Sequence, residues 1–92
     1  MFYLVAYDIS DNKRRKKIAD LLEGYGCRVQ FSVFECRLSV KKYGELKQRL
    51  RRYYREEEQD SLRFYPISGH TLGQVEIWGE PPLLMPPSST IV

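Results

Sequence analysis

Two cysteines, one histidine and one tryptophan in 92 residues leave little material for several common chemistries. Cys27 and Cys36 have no C-x-x-C neighbour and no histidine at ligand spacing, which excludes a zinc pattern. Both sit in an apolar, strand-like stretch and are expected as buried free thiols in a reducing cytoplasm. His70 stands alone in a Ser-Gly-His-Thr turn and reads as an exposed loop residue. There is no nucleophile–base triad and no glycine-rich phosphate loop. No stretch approaches the length of a membrane span, and the first residues lack a basic leader with a cleavage site, so a soluble cytoplasmic chain without a membrane partner is expected. Charge of one sign is also scarce: 15 Lys and Arg against 12 Asp and Glu give a net +3, too little to indicate nucleic acid unless the cations cluster.

What is present suggests one small α+β domain. Residues 1–9 (MFYLVAYDI) read as a strand apolar on both faces. Ser10, Asp11 and Asn12 then offer N-cap chemistry for a helix carrying Ile18, Leu21, Leu22 and Tyr25 at helical spacing, stopped by Gly24 and Gly26. Residues 27–40 (CRVQFSVFECRLSV) alternate as one long strand, or as two strands joined by a bulge or corner near Phe34 to Cys36. Ser39 can cap a second helix with Tyr43, Leu46, Leu50 and Tyr53 or Tyr54 as its apolar stripe, fading in the acidic run near Glu56. LRFYPI, with Pro66 arguing for a sheet edge, and GQVEIWG read as two further strands. The expected fold is therefore a ferredoxin-like βαββαβ sandwich over residues 1–80 with an extra C-terminal strand, followed by a Pro-rich arm over 81–92. A chain this short buries a modest fraction of its surface, which makes a symmetric homodimer the expected state.

Asp8 is the most informative residue. A carboxylate late in an apolar strand is costly to bury unless it is paired, protonated or bound to a cation, and a hard oxygen ligand suits Mg²⁺ or Mn²⁺. The competing reading places Asp8 past the core as a cap for the following helix. One aspartate per chain cannot complete a metal site, so a catalytic reading needs further ligands from water, a substrate phosphate or a second Asp8 across a two-fold axis. Lys13, Arg14, Arg15, Lys16 and Lys17 oppose the dipole at a helix N-terminus, a repulsion that a phosphate would relieve. Further cations run from Lys41 to Arg55. If residues 27–40 are continuous, Arg28, Gln30, Ser32 and Phe34 share one parity and line one sheet face with Asp8. Tyr7, beside Asp8, is the tyrosine most worth testing for a role at that site.

These residues carry a resemblance. Y-D-I-S-D at 7–11, the basic run to Lys17 and G-C-R-V-Q-F-S-V-F-E at 26–35 are together similar to the family of CRISPR-associated protein two, and the similarity extends to the late Val-Glu-Ile-Trp-Gly segment. The resemblance implies a ferredoxin-like homodimer whose C-terminal strand packs on the partner's sheet. It implies a role in CRISPR adaptation as a duplex-DNA-binding scaffold between integrase molecules. It also implies a Mg²⁺-dependent endonuclease on single-stranded RNA or double-stranded DNA, with Asp8 as catalytic metal ligand. Arg14, Arg15, Lys16, Lys17 and Arg28 would then face nucleic acid, with Tyr7, Ser32 and Phe34 in support. Lys17 departs from the arginine often found at its position and loses the bidentate fork. The alternative from another class is a ferredoxin-like regulatory or ligand-binding module without catalysis.

Overall fold

In the computed structural model, which describes residues 1–84, β1 (Phe2–Asp8) is an inner strand of a four-stranded antiparallel sheet ordered β2-β3-β1-β4. The remaining strands are β2 (Cys27–Gln30), β3 (Val33–Arg37) and β4 (Ser61–Ile67). Helices α1 (Asn12–Glu23) and α2 (Val40–Leu50) cover one face. Tyr3, Val5 and Tyr7 of β1 point into that layer with Phe34 and Cys36 of β3, against Ile18, Leu22, Leu46 and Leu50. Tyr3 stacks on Tyr43 of α2 with ring centroids 3.9 Å apart, tying the first strand to the second helix. Burial pushes the Cys36 thiol up to about 11, so it packs as an inert apolar group.

The opposite face of the sheet is only partly covered. Leu4 and Ala6 are half-buried and Asp8 is exposed, so β1 is not the doubly buried strand that its composition suggests. Cys27 is exposed as well, contrary to expectation, because its register partner is Glu35 on this open face, whereas Cys36 faces the helices.

Within residues 27–40 the chain forms a hairpin over 27–37 and then enters α2 through the Ser39 cap. The turn falls at Phe31 and Ser32, three residues before the corner expected near Phe34, and Gln30 pairs with Val33 across it. Neither turn residue adopts a positive φ, so the connection needs none of the Gly or Asn that would mark it in sequence. The β2–β3 register shifts between Arg28 and Gln30, where a bulge breaks the parity that had placed those two side chains together. Gly26 admits this hairpin against the core, since a Cβ there would collide with the Glu35 carbonyl and Cys36 Sγ.

The second half differs more. Helix α2 ends at Leu50, earlier than the acidic run, and the Glu56–Glu58 segment forms a separate 3₁₀ turn. Gln59 then takes φ 62, reversing the chain into β4. Strand β4 lies at the sheet edge, where Pro66 is tolerated. The extra strand expected over 73–79 is not formed: a short helix α3 (Gly69–Leu72) is followed by irregular chain that leaves Val75, Ile77 and Trp78 exposed. A strand needs a neighbour, and this segment pairs with neither free edge of its own sheet, β2 or β4. Of the Pro-rich arm, residues 81–84 are described and 85–92 lie outside the described residues. No helix among the described residues is long and apolar enough to cross a membrane.

Candidate nucleic-acid interface

Asp8 lies at the end of β1 opposite Ser61 of β4. Its side chain is on the open face, on the parity of Leu4 and Ala6. The capping explanation does not hold: Asp11 is the N-cap of α1, its Oδ2 accepting the Arg14 N–H at 2.8 Å. Asp8 is left as an exposed carboxylate without a local structural task.

The supporting residues do not share its face. Phe34 pairs with Val5, and Arg28 pairs with Phe34, so both belong to the helix side of the sheet. There the Arg28 guanidinium sits 5.2 Å from the Phe34 ring centroid and donates to Tyr7 Oη at 3.2 Å. Tyr7 is buried, and its hydroxyl lies 3.5 Å from the Phe31 carbonyl oxygen. Ser32 sits in the hairpin turn, where its carbonyl accepts the Tyr7 N–H at 3.1 Å. The expectation of one polar row with Asp8 is thereby corrected. Tyr7, Arg28 and Phe34 form a brace that fixes the hairpin beside the end of β1, and Asp8 projects from the other side.

The basic run on α1 is also divided. Arg14 is drawn into an ion pair with the fully buried Asp60 carboxylate, reaching Oδ1 at 3.1 Å, and donates to the Tyr53 carbonyl at 2.9 Å and to Glu58 at 3.1 Å. The Arg14 bond holds the Asp60 carboxyl below the usual carboxylate range, aided by the Arg55 N–H, while burial opposes the shift. Arg14 is raised above its ordinary value, chiefly by the same bond. Its guanidinium is therefore committed to joining α1 to the loop after α2, which argues against the phosphate contact expected of it. Arg15 folds back on the β1–α1 loop, donating to the Ile9 carbonyl at 2.8 Å and to Asn12. Lys16 pairs with Asp20 at 3.0 Å, and Lys17 lies 5.9 Å from the Tyr53 ring centroid.

Helix α2 presents the contrasting surface. Lys41, Arg51 and Arg52 on it and just beyond it are exposed and have no carboxylate partner among the described residues. Lys47 lies over the Tyr43 ring at 4.2 Å and Arg49 by Tyr25 at 5.9 Å. Tyr25 donates to Glu45 at 2.5 Å; this bond lowers the Glu45 carboxyl and raises the tyrosine. The expected nucleic-acid contacts were those of α1 and Arg28, although from sequence the cations of α2 also stand out as a group. Their one distinguishing signal was the spread of Lys and Arg around the helix with a single acidic residue, Glu45, among them.

Among the described residues no group of three or more His, Cys, Asp or Glu side chains is positioned to hold a metal ion. On the open face Glu35 is buried and Asp8 is the exposed carboxylate, so one chain offers half of a shared Mg²⁺ or Mn²⁺ site and no more.

A two-layer sandwich of a four-stranded antiparallel sheet and two covering helices, with the other sheet face half open, defines a small ferredoxin-like protein. The chain belongs to the CRISPR associated protein Cas2 family, whose model matches residues 1–75. It is 70% identical over 90 residues to the Synechocystis protein named CRISPR-associated endoribonuclease Cas2 3, covering 98% of this chain and 97% of that one. The crystal structure of Streptococcus pyogenes Cas2 superposes with a TM-score of 0.75 at 37% identity, covering 86% of this chain and 100% of that chain. A chain of a partial Cas6-RT-Cas1–Cas2 complex superposes with a TM-score of 0.71 at 29% identity, covering 83% and 88%.

Proposed function

We propose that this chain serves CRISPR spacer acquisition as a homodimeric scaffold that binds duplex DNA and partners the CRISPR integrase. The observation that carries the DNA-binding reading is the set of exposed cations Lys41, Arg51 and Arg52 without carboxylate partners, a surface free to exchange counterions for phosphates. Similarity to the chain of a Cas1–Cas2 complex supports the integrase as partner. The homodimer is supported by three features of one chain: the unpaired outer edge of β4, the partly covered open face of the sheet, and Val75, Ile77 and Trp78 in solvent. Replacing Lys41, Arg51 and Arg52 together by alanine should weaken duplex binding and lower the slope of log K against log salt by roughly one per phosphate contact removed. An unchanged slope would refute the assignment of this surface.

A second reading, metal-dependent endonuclease action on RNA or DNA, is favoured by the exposure of Asp8 and its lack of a capping role. Relatives named endoribonuclease or endonuclease support it. Asp8 would hold Mg²⁺ or Mn²⁺ jointly with the Asp8 of a second copy, and such an ion supplies Lewis-acid activation of water. Asp8→Asn keeps the shape and removes the charge. Cleavage of single-stranded RNA and duplex DNA across a Mg²⁺ series should fall at least ~100-fold if Asp8 holds the metal. Equal cleavage by both proteins would leave the scaffold reading alone.

A further inference from the structure

Two charged side chains are buried among the described residues, Asp60 and Glu35. Asp60 is accounted for by Arg14. Glu35 belongs to no part of the interface described above, and it is 8% exposed on the open face of the sheet. Its Oε1 accepts the N–H of Leu84 at 3.0 Å. Two residues further along the same face of β3, Arg37 donates its Nε–H to the carbonyl of the same Leu84 at 3.3 Å. Arg37 also lies 5.4 Å from the ring centroid of Phe2, which is buried on this otherwise half-open face. One carboxylate and one guanidinium thus grip both polar groups of a single backbone residue, 49 and 47 positions away in sequence.

The chain between this grip and α3 behaves differently. Residues 76–79 make no backbone hydrogen bond to the described residues, and Val75, Ile77 and Trp78 are exposed. The segment is held at one end by α3 and at the other by Leu84, which restricts the conformations it must lose on pairing. Val75 and Ile77 fall on one strand parity, with Gln74, Glu76 and Trp78 on the other.

We propose that Glu35 and Arg37 form a peptide clamp that anchors Leu84 to its own sheet and thereby presents residues 73–79 as an open strand for the β4 edge of a second copy of this chain. The clamp rests on the homodimer reading and adds to it the side chains that preorganise the exchanged segment. Because both contacts are to backbone atoms, the clamp reads the path of the arm and not the identity of residue 84.

Leu84→Pro removes the donated N–H without touching the sheet, and Glu35→Ala removes the acceptor from the other side. Sedimentation equilibrium on the full chain should show each change weakening the dimer by roughly tenfold, with Glu35→Gln, which keeps an acceptor oxygen, close to the parent. The double variant should be no weaker than the worse single one, since both delete the same bond. In the parent, the Leu84 amide should exchange slowly, and Glu35→Ala should speed it. A Leu84→Pro dimer as tight as the parent, or losses that add in the double variant, would overturn the clamp while leaving the homodimer intact. A parent that sediments as a monomer at every concentration would instead overturn the homodimer reading, and the presenting role with it. If Glu35→Ala does not fold, Leu84→Pro and the exchange rate still decide.

Discussion

The five consecutive cations opening α1 and the cations distributed along α2 look interchangeable by residue type, and the fold withdraws more of the first set than of the second. On α1, Arg14 is drawn inward to Asp60, Arg15 folds onto the preceding loop and Lys16 is matched by Asp20, which leaves Lys13 and Lys17 as its exposed cations without a carboxylate among the described residues. On α2, Lys41, Arg51 and Arg52 stay in solvent without carboxylate partners among the described residues. The difference follows from where the acids lie. Asp60 and Glu58 come from the loop entering β4, which the topology sets beside the start of α1, so the nearest cation there is captured. Clustering in sequence measures how much charge a helix carries. What remains available to a phosphate depends on what the rest of the chain brings to it.

The largest effect that would break this comparison is at the Arg14–Asp60 pair. Asp60 is the buried member, and removing it leaves the half-buried Arg14 guanidinium and the Arg55 N–H without their shared acceptor. Asp60→Ala should lower Tm by on the order of 10 °C, a loss large for a chain of this size. Duplex affinity, measured well below that Tm, should hardly change. The pH dependence has a definite sign. The Asp60 carboxyl titrates below its ordinary value when folded, so its contribution is present above the unfolded carboxylate value and disappears as pH falls through the folded one. Glu45, lowered by Tyr25, acts in the same direction. Thermal melts from pH 6 down through about 4 and below should therefore show falling stability, and Asp60→Asn should flatten the curve. If Asp60→Ala instead abolished DNA binding in a protein that melts normally, Arg14 would be a phosphate contact and the contrast between the helices would fail.

The α2 surface comes next in size. Losing Lys41, Arg51 and Arg52 should reduce duplex affinity by about 10- to 100-fold near physiological salt with Tm nearly unchanged, the reverse of the Asp60 result. Filter binding at several salt concentrations beside a thermal melt checks both halves at once.

How far the sequence carried this reading depends on the kind of signal. The strand–helix opening, the Ser39 cap and the edge placement of β4 were legible, because apolar spacing, capping side chains and Pro66 are local properties. The hairpin turn at Phe31 and Ser32 was not, since its backbone avoids the left-handed region and so selects no glycine. That hidden turn and the bulge beside it took Gln30 and Ser32 out of the expected row, while the β1–β3 register, Val5 against Phe34, set Phe34 and Arg28 on the face opposite Asp8. The strand expected at 73–79 failed for another reason: its pattern is that of a strand, yet its backbone pairs with no strand among the described residues. Asp8 itself was legible as an anomaly, and Asp11 settled which aspartate caps α1.

The smallest effect is the most discriminating for α1. Lys16 is exposed and pairs with Asp20 one turn on, with the lysine on the N-terminal side, the less favourable order for a helix pair. The exposed pair is worth about 0.3–0.5 kcal/mol, and its loss is offset by relief of a positive charge in the first turns of the helix. Lys16→Ala should therefore leave stability within about 0.5 kcal/mol of the parent in urea denaturation. Duplex affinity should shift less than about twofold, because Asp20 already neutralises this cation and few counterions are released from it. A loss comparable to that of the α2 variant would show that α1 faces the duplex as well, and that the acids beside its cations position them for phosphate without withdrawing them from it.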